Sequence, residues 1–164
     1  MAAEFTSFAT NWRGGSMQHD LWRYACDVYA RPGVEAACLQ AQDGGADVCL
    51  ALCALWLEHR RVEWSVARGT CLSEIASSWS STVITPLRAL RQQWRDAARD
   101  DPTLRDLREN MKRLELEAEQ ALLQRLQAAA GAWPSESGTK PAWLEWAVPD
   151  ATARLALSQA ANQR

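Results

Sequence analysis

The residues best suited to chemistry lie close together, between residues 43 and 53. Asp43 and Asp47 are four apart beside two glycines, and Cys49 and Cys53 follow with the same spacing. Two carboxylates next to a flexible turn could hold a magnesium ion or a phosphorylated ligand. The structural alternative is a turn followed by a helix cap, because Asp is a preferred N-cap residue. Since no second acidic motif accompanies the pair, we expect the turn and the cap.

The five cysteines have no spacing that is typical of a metal site. A structural zinc ion needs four ligands, commonly supplied in C-x-x-C pairs, and the sequence contains no such pair. His19 and His59 lie outside any HExxH-like pattern. The N-terminus lacks a basic region followed by an apolar segment, and an odd number of thiols cannot pair completely within one chain. We therefore expect buried, reduced cysteines, a cytoplasmic location, and no metal or other cofactor.

A row of basic residues recurs at helical spacing in the middle of the chain. Such a row can bind phosphate or nucleic acid, or it can pair with carboxylates of a neighbouring helix. The net charge of −2 gives the chain no overall basic field, so we expect ion pairs and no nucleic-acid partner. In the next helix, Glu109 and Arg113 are predicted to pair at i,i+4. The basic row consists of Arg88, Arg91, Arg95 and Arg99.

One apolar segment must organise the fold that positions these groups. It runs from Ala46 to Leu57, ADVCLALCALWL, and contains a single charged residue. Twelve residues are too few to cross a membrane, which takes about 20. A helix that is apolar on every side is buried in a core, so this segment is predicted to be the central helix of a helical domain.

A long helical hairpin is predicted to pack across this central helix. Its first helix begins near Ser73, after a loop or short helical turn over 62–72, and meets Pro86. There the helix either kinks or is followed by a new helix that Thr85 caps, and we favour the kink. Asp101 and a proline at the first helical position then begin the longest helix, which reaches about residue 130.

These elements predict an all-α, single-domain bundle of five to seven helices. The chain divides into a flexible leader over 1–15, a helical domain over 16–130, and a linker with a helical tail over 131–164. Ser16 is the expected cap of the first helix. In the tail, Leu155 is the expected apolar anchor of the last helix.

The longest helix carries more apolar residues than one stripe can hold. Leu116 and Leu123 lie about 150° from the main stripe, taking 100° per residue. Either the C-terminal tail covers this second stripe or another chain does. In the tail itself, Trp143 and Trp146 resemble the anchors that helical peptides insert into grooves, or they dock on their own domain. The main stripe consists of Leu104, Leu107, Met111, Leu114, Ala118 and Leu122.

Five short segments, in consistent order over roughly residues 20–125, resemble a small family of unknown function found mainly in proteobacteria. The family series reads YARPGV, ACLxLQ, GADVN, PLRxLR and ELEAE. In this chain the segments begin at Tyr29, Ala37, Gly45, Pro86 and Glu115. Cys49 stands where the series has Asn. The resemblance implies an all-helical fold and supplies no activity, cofactor or site residue.

Two functions follow from these observations. The leading one is a non-catalytic interaction module that binds an unknown protein, or a second copy, through a helix surface. The rival is a small-molecule-binding protein or enzyme with a pocket between helices. A cavity with converging buried polar groups would favour the rival, and an exposed Leu/Trp patch would favour the module. The module would use Leu116, Leu123, Trp143 and Trp146, and the rival would use Arg23, Asp43 and Asp47.

Overall fold

In the computed structural model, the described residues are 20–136 and 142–163, and they form seven helices with no strand among them. The predicted all-α, single-domain fold of five to seven helices is therefore confirmed. The predicted leader, the Ser16 cap and residues 137–141 of the predicted linker lie outside the described residues. The helices are α1 (Leu21–Tyr29), α2 (Val34–Asp43), α3 (Val48–His59), α4 (66–93), α5 (Pro102–Ala130), α6 (Trp143–Ala147) and α7 (Ala151–Asn162).

Short polar side chains cap the starts of five of the seven helices in the described residues. The Asp47 carboxylate caps α3 by accepting the N–H of Leu50 at 3.0 Å. Asp101 caps α5, with proline at the first helical position, as predicted. Each cap satisfies a backbone donor that has no partner within its helix.

The central helix α3 is the apolar segment singled out in the sequence. Eight of its twelve residues are buried, and it packs against α1, α2, α4, α5 and α6. Its apolar residues face every direction because neighbouring helices cover it on every side. Among the described residues, no helix is both long and apolar enough to span a membrane.

Helix α4 begins earlier than predicted and does not break at Pro86. Its α-helical parts, Val66–Trp79 and Thr85–Gln93, are joined by a π-helical turn over Ser80–Ile84. Because proline lacks an N–H and its ring crowds the preceding turn, the wider π turn is a compatible way to continue the helix. Thr85 makes no side-chain cap, so the proposed fresh helix start is wrong. The segment 62–72, predicted to be a loop or a short helical turn, is helical from Val66 onward and forms the start of a long helix.

Helix α5 runs back along α4. Contacts join residue 79 to 118, 88 to 115 and 91 to 108, in antiparallel order. The outer part of this pair, residues 85–114, contributes only Ala98 to the buried residues.

The second apolar stripe of α5 lies inside the domain. Leu116 is 6% exposed and Leu123 is fully buried. Helix α5 packs against α1, α3 and α4, whereas the tail helices α6 and α7 pack mainly against α3 and α2. Neither the tail nor another chain is needed to cover this stripe. Two residues of the predicted main stripe lie at the surface instead: Leu107 and Leu114 are each 46% exposed.

The C-terminal tail docks on its own domain. The buried indole N–H of Trp143 donates to the Val62 carbonyl at 2.8 Å, and the Leu144 N–H donates to Glu58 Oε1 at 2.8 Å. The Arg60 guanidinium donates to three carbonyl groups just after α5 or at its end, those of Ala130, Gly131 and Trp133. Leu155 is 59% exposed, so the predicted anchor of α7 is wrong. The residues that anchor α7 are Ala153, Leu157, Ala160 and Ala161.

Candidate functional site

A cavity of about 260 Å³ opens where the start of α3, the π turn of α4 and the middle of α5 meet. The turn between α2 and α3 closes one side of it. Polar and apolar residues alternate around the wall. The lining residues are Gln42, Gly45, Ala46, Asp47, Val48, Cys49, Ser80, Ile84, Thr85, Arg88 and Glu119.

Asp47 has a structural contact on each of its oxygens. Oδ1 caps α3, and Oδ2 accepts a hydrogen bond of 3.2 Å from the Ser80 hydroxyl. Ser80 is the first residue of the π turn. The bond therefore ties the wall formed by α4 to the start of α3.

A cluster of ion pairs lies beside the cavity. Arg88 and Glu119 of this cluster line the cavity, whereas Glu115 and Arg91 do not. Arg88 Nε donates to Glu115 Oε1 at 2.8 Å, and Arg88 Nη2 donates to Glu119 Oε1 at 3.0 Å. Arg91 Nε also donates to Glu115. These contacts confirm that Arg88 and Arg91 pair with carboxylates of the neighbouring helix. Arg99 pairs locally with Asp96 instead.

Glu115 and Glu119 lie one helical turn apart, and their pKa values are shifted in opposite directions. Burial alone would raise the pKa of Glu115, but hydrogen bonds from Arg91 and Arg88 bring it below its usual value. Among the described residues, the one ion pair of Glu119 is with Arg88. Burial raises the pKa of Glu119 to about 7, and nearby Glu115 and Asp47 add to the shift, although Arg88 opposes it.

One oxygen of Glu119 remains available to a ligand. The residue is 7% exposed, and its Oε1 is used by Arg88. Among the described residues, Oε2 has no hydrogen-bond partner. A carboxylate has lone pairs for about four hydrogen bonds, so a buried carboxylate on a cavity wall has unused acceptor capacity.

The thiol in the cavity wall has little nucleophilic character. Cys49 is buried, and burial raises its pKa well above the usual value, with Asp47 and Glu119 adding to the shift. Since the thiolate is the reactive form, Cys49 is a weak nucleophile at neutral pH. Four of the five cysteines are buried as predicted, and Cys71 is exposed.

Of the three predicted ligand residues, only Asp47 reaches the cavity. Arg23 is exposed on α1, and Asp43 is exposed at the end of α2. Neither of the two lines the cavity. Over residues 20–136 and 142–163, no group of three or more His, Cys, Asp or Glu residues could hold a metal ion.

The predicted interaction residues lie mostly in the core. Leu116, Leu123 and Trp143 are buried, so the surface that we expected them to form is not exposed in this structure. Trp146 is half-buried and lines a shallow apolar cleft with Trp64. A partner would reach the three buried side chains only if the helices separated, and their role in binding stays a prediction.

Sequence reasoning missed Ser80, Arg88 and Glu119 as members of one site. A signal was present, because three of the segments quoted for the family resemblance meet here: those that begin at Gly45, Pro86 and Glu115. The predicted pair of Glu109 and Arg113 is wrong. Glu109 pairs with Lys112 instead.

The fold and the site define a small all-α domain with a polar cavity beside a buried arginine–carboxylate cluster. A family model described as "Protein of unknown function (DUF2390)" matches residues 20–126, and the chain belongs to this family. All residues that line the cavity fall within the matched part, whereas the tail helices lie beyond it. Comparisons with the curated proteins and with the solved structures find no match.

Proposed function

We propose that this protein binds a small polar molecule in the cavity between α3, α4 and α5. The observation that carries the proposal is the Glu119 carboxylate: the residue lines the cavity and is 7% exposed, and its Oε2 has no hydrogen-bond partner among the described residues. A bound molecule that donates hydrogen bonds to Oε2 would use the acceptor capacity of this carboxylate that Arg88 does not use.

The size and the chemistry of the cavity limit the molecule. A volume of about 260 Å³ is slightly below the range of about 300–1,000 Å³ that is common for ligand pockets. A molecule the size of a small metabolite fits this volume. The protonated state of Cys49 supports binding over covalent catalysis. The proposal includes a cytoplasmic location, which suits the buried, unpaired thiols.

A cavity-filling substitution tests the proposal. Ala46 lines the cavity, so Ala46→Leu should occupy part of the space without removing a hydrogen bond. Ala89→Leu is the matched control, because Ala89 is exposed on α4 and away from the cavity. Small molecules released from the purified, denatured proteins would be compared by mass spectrometry. We expect one molecule to accompany the wild type and Ala89→Leu, and to be depleted in Ala46→Leu. Equal recovery from all three proteins, or from none, would contradict the proposal.

A second candidate function is supported by the outer part of the α4–α5 pair. Leu107 and Leu114 are seven residues apart and half-exposed, in a segment that buries little of its own surface. Exposed leucines on one helical face are a common docking surface for a partner protein. This face replaces Leu116 and Leu123 as the proposed surface of an interaction module.

Affinity capture from the host tests this second function. Leu107→Asp combined with Leu114→Asp should abolish capture of a specific partner. Leu39→Asp is the control, because Leu39 is equally exposed but lies on α2. A partner that binds the double variant as well as it binds the wild type would exclude this face.

A further inference from the structure

We infer that the molecule bound in the cavity carries a compact cationic group, such as a primary ammonium, that pairs with Glu119 beside Asp47. The inference rests on the proposed ligand-binding function and specifies the chemical class of the ligand.

The charges around the cavity do not balance. Three carboxylates (Asp47, Glu115 and Glu119) face two guanidinium groups, those of Arg88 and Arg91. Both guanidinium groups are engaged by Glu115, and only one of them also reaches Glu119. When every group is ionised, the described residues of this cluster carry one negative charge in excess. A ligand cation would neutralise it, whereas an anion would increase it.

The excess charge lies on the cavity side of the cluster. Glu115 does not line the cavity, whereas Asp47 and Glu119 do. The hydrogen bonds of Asp47 come from the Leu50 N–H and the Ser80 hydroxyl, both neutral donors. The uncompensated charge is therefore shared by the two carboxylates that a ligand would meet.

The donors and acceptors around the cavity fit an ammonium group with a nearby oxygen. An ammonium donates three hydrogen bonds and accepts none. Glu119 Oε2 supplies one acceptor, and Thr85 and Gln42, whose side chains contain oxygen acceptors, line the same cavity. Arg88 Nη1 has no hydrogen-bond partner among the described residues, so it can donate to an oxygen of the ligand. An amino alcohol has both features at the size that the cavity allows.

Binding of a cation should be linked to proton release from Glu119. Among the described residues, the groups that act on this carboxyl or are affected by it are Arg88 of α4, Asp47 and Cys49 at the start of α3, Tyr29 of α1 and Glu115 of α5 itself. Only the ionised carboxylate pairs well with a cation, and its pKa is about 7. A simple amine keeps its proton to about pH 10. The affinity should therefore rise about tenfold per pH unit below pH 7 and level off above it.

Calorimetric titration of the full chain with ethanolamine, from pH 5.5 to 8.5, tests the inference. Tetramethylammonium, which has no N–H donor, and acetate are the probe controls. We expect ethanolamine to bind with the stated pH dependence, and both controls to bind at least tenfold more weakly. Acetate binding as well as ethanolamine, or an affinity independent of pH, would overturn the inference.

Matched variants test whether Glu119 is responsible for ethanolamine binding and for its pH dependence. Glu119→Gln should weaken ethanolamine binding at pH 8 at least tenfold and remove the pH dependence. Glu117→Gln, an exposed change two residues away on the same helix, should leave both unchanged. Circular dichroism would establish whether both variants fold. If Glu119→Gln does not fold, the pH dependence of ethanolamine binding to the wild type tests the inference by itself. Recovery of a native molecule without a cationic nitrogen would refute this inference and leave the proposed function standing. Equal recovery from Ala46→Leu would refute both.

Discussion

The indole N–H of Trp79 donates a hydrogen bond of 2.9 Å to the carbonyl oxygen of Ala118. Trp79 immediately precedes the π turn, and Ala118 immediately precedes Glu119. The Arg125 guanidinium lies over the Trp79 ring, with its Cζ 4.0 Å from the ring centre. This bond therefore holds the two helices together where they form the cavity wall.

Trp79→Phe should weaken the contact between α4 and α5. The change removes one hydrogen bond and part of the cation–π contact, which together contribute about 1–2 kcal/mol. Urea denaturation should show a loss of that size in the free energy of unfolding. Trp94→Phe is the control, because the half-buried Trp94 side chain makes no hydrogen bond with the described residues. A larger loss in the control would show that ring size, rather than the hydrogen bond, determines the effect.

Glu119 should make the stability depend on pH. Its pKa is about 7 in the folded protein and 4.5 without the fold, so the folded state binds more protons between these values. Stability should therefore fall as the pH rises from about 4.5 to about 7, by up to about 3 kcal/mol. Glu119→Gln should remove this part of the pH dependence and be more stable than the wild type at pH 8.

Urea denaturation at pH 5 and pH 8 measures this effect. The pKa of Glu58 is raised as well, but Glu58 is present in both proteins, so their difference isolates Glu119. Glu117→Gln should follow the wild type. A Glu119→Gln protein less stable than the wild type at pH 8 would mean that the ion pair with Arg88 outweighs the cost of burial.

Two leucines of α7 should respond very differently to truncation. Leu157 is fully buried, and Leu157→Ala should cost about 2–5 kcal/mol because it leaves a cavity in the core. Leu155 lies two residues away and is largely exposed, so Leu155→Ala should change stability by less than about 0.5 kcal/mol. Thermal unfolding of the two variants provides the comparison. Similar losses of stability in the two variants would show that α7 does not pack with Leu157 in the core and Leu155 at the surface.

The cysteines should separate into one reactive and four protected thiols. Cys71 is exposed, whereas burial raises the pKa of Cys26 and Cys38 to about 12 and that of Cys49 well above its usual value. A thiol reagent at pH 7.5 should label Cys71 rapidly under native conditions and the others only after unfolding. Peptide mapping by mass spectrometry identifies the labelled sites. Rapid labelling of Cys49 would indicate that the cavity opens to reagents.

The parts of the fold that could be predicted are those with local causes. Asp47 and Asp101 cap their helices because a short carboxylate reaches the first backbone N–H groups, and this needs no tertiary contact. The start of α4 at Val66 was missed because Gly69 is a poor helix former. In the fold a Cβ at this glycine would lie 3.2 Å from the Trp146 ring and 3.3 Å from Trp64 Nε1, so a larger residue would need these indole rings to shift slightly.

The site depends on contacts that no local pattern reveals. Glu117 and Glu119 are alike in sequence, yet one is exposed and the other is buried beside Arg88, 31 residues away. Leu107 and Leu114 are likewise as apolar as Leu122, but only Leu122 lies on the part of α5 that meets the domain. Periodicity identifies the face of a helix and does not show where along its length the neighbours begin.

The hydrogen bonds of Arg60 show that the part of the chain matched by the family model is shorter than the packed domain. Shared ancestry is recognised over residues 20–126, but the carbonyl groups that Arg60 binds belong to residues 130, 131 and 133. Trp143 and Leu144 then cover the end of α3 from still further along the chain. The set of residues that pack together in this structure therefore extends beyond the part that the family model matches. If the chain were cut at the family boundary, the Arg60 guanidinium and the Val62 carbonyl would lose the partners that the native state provides.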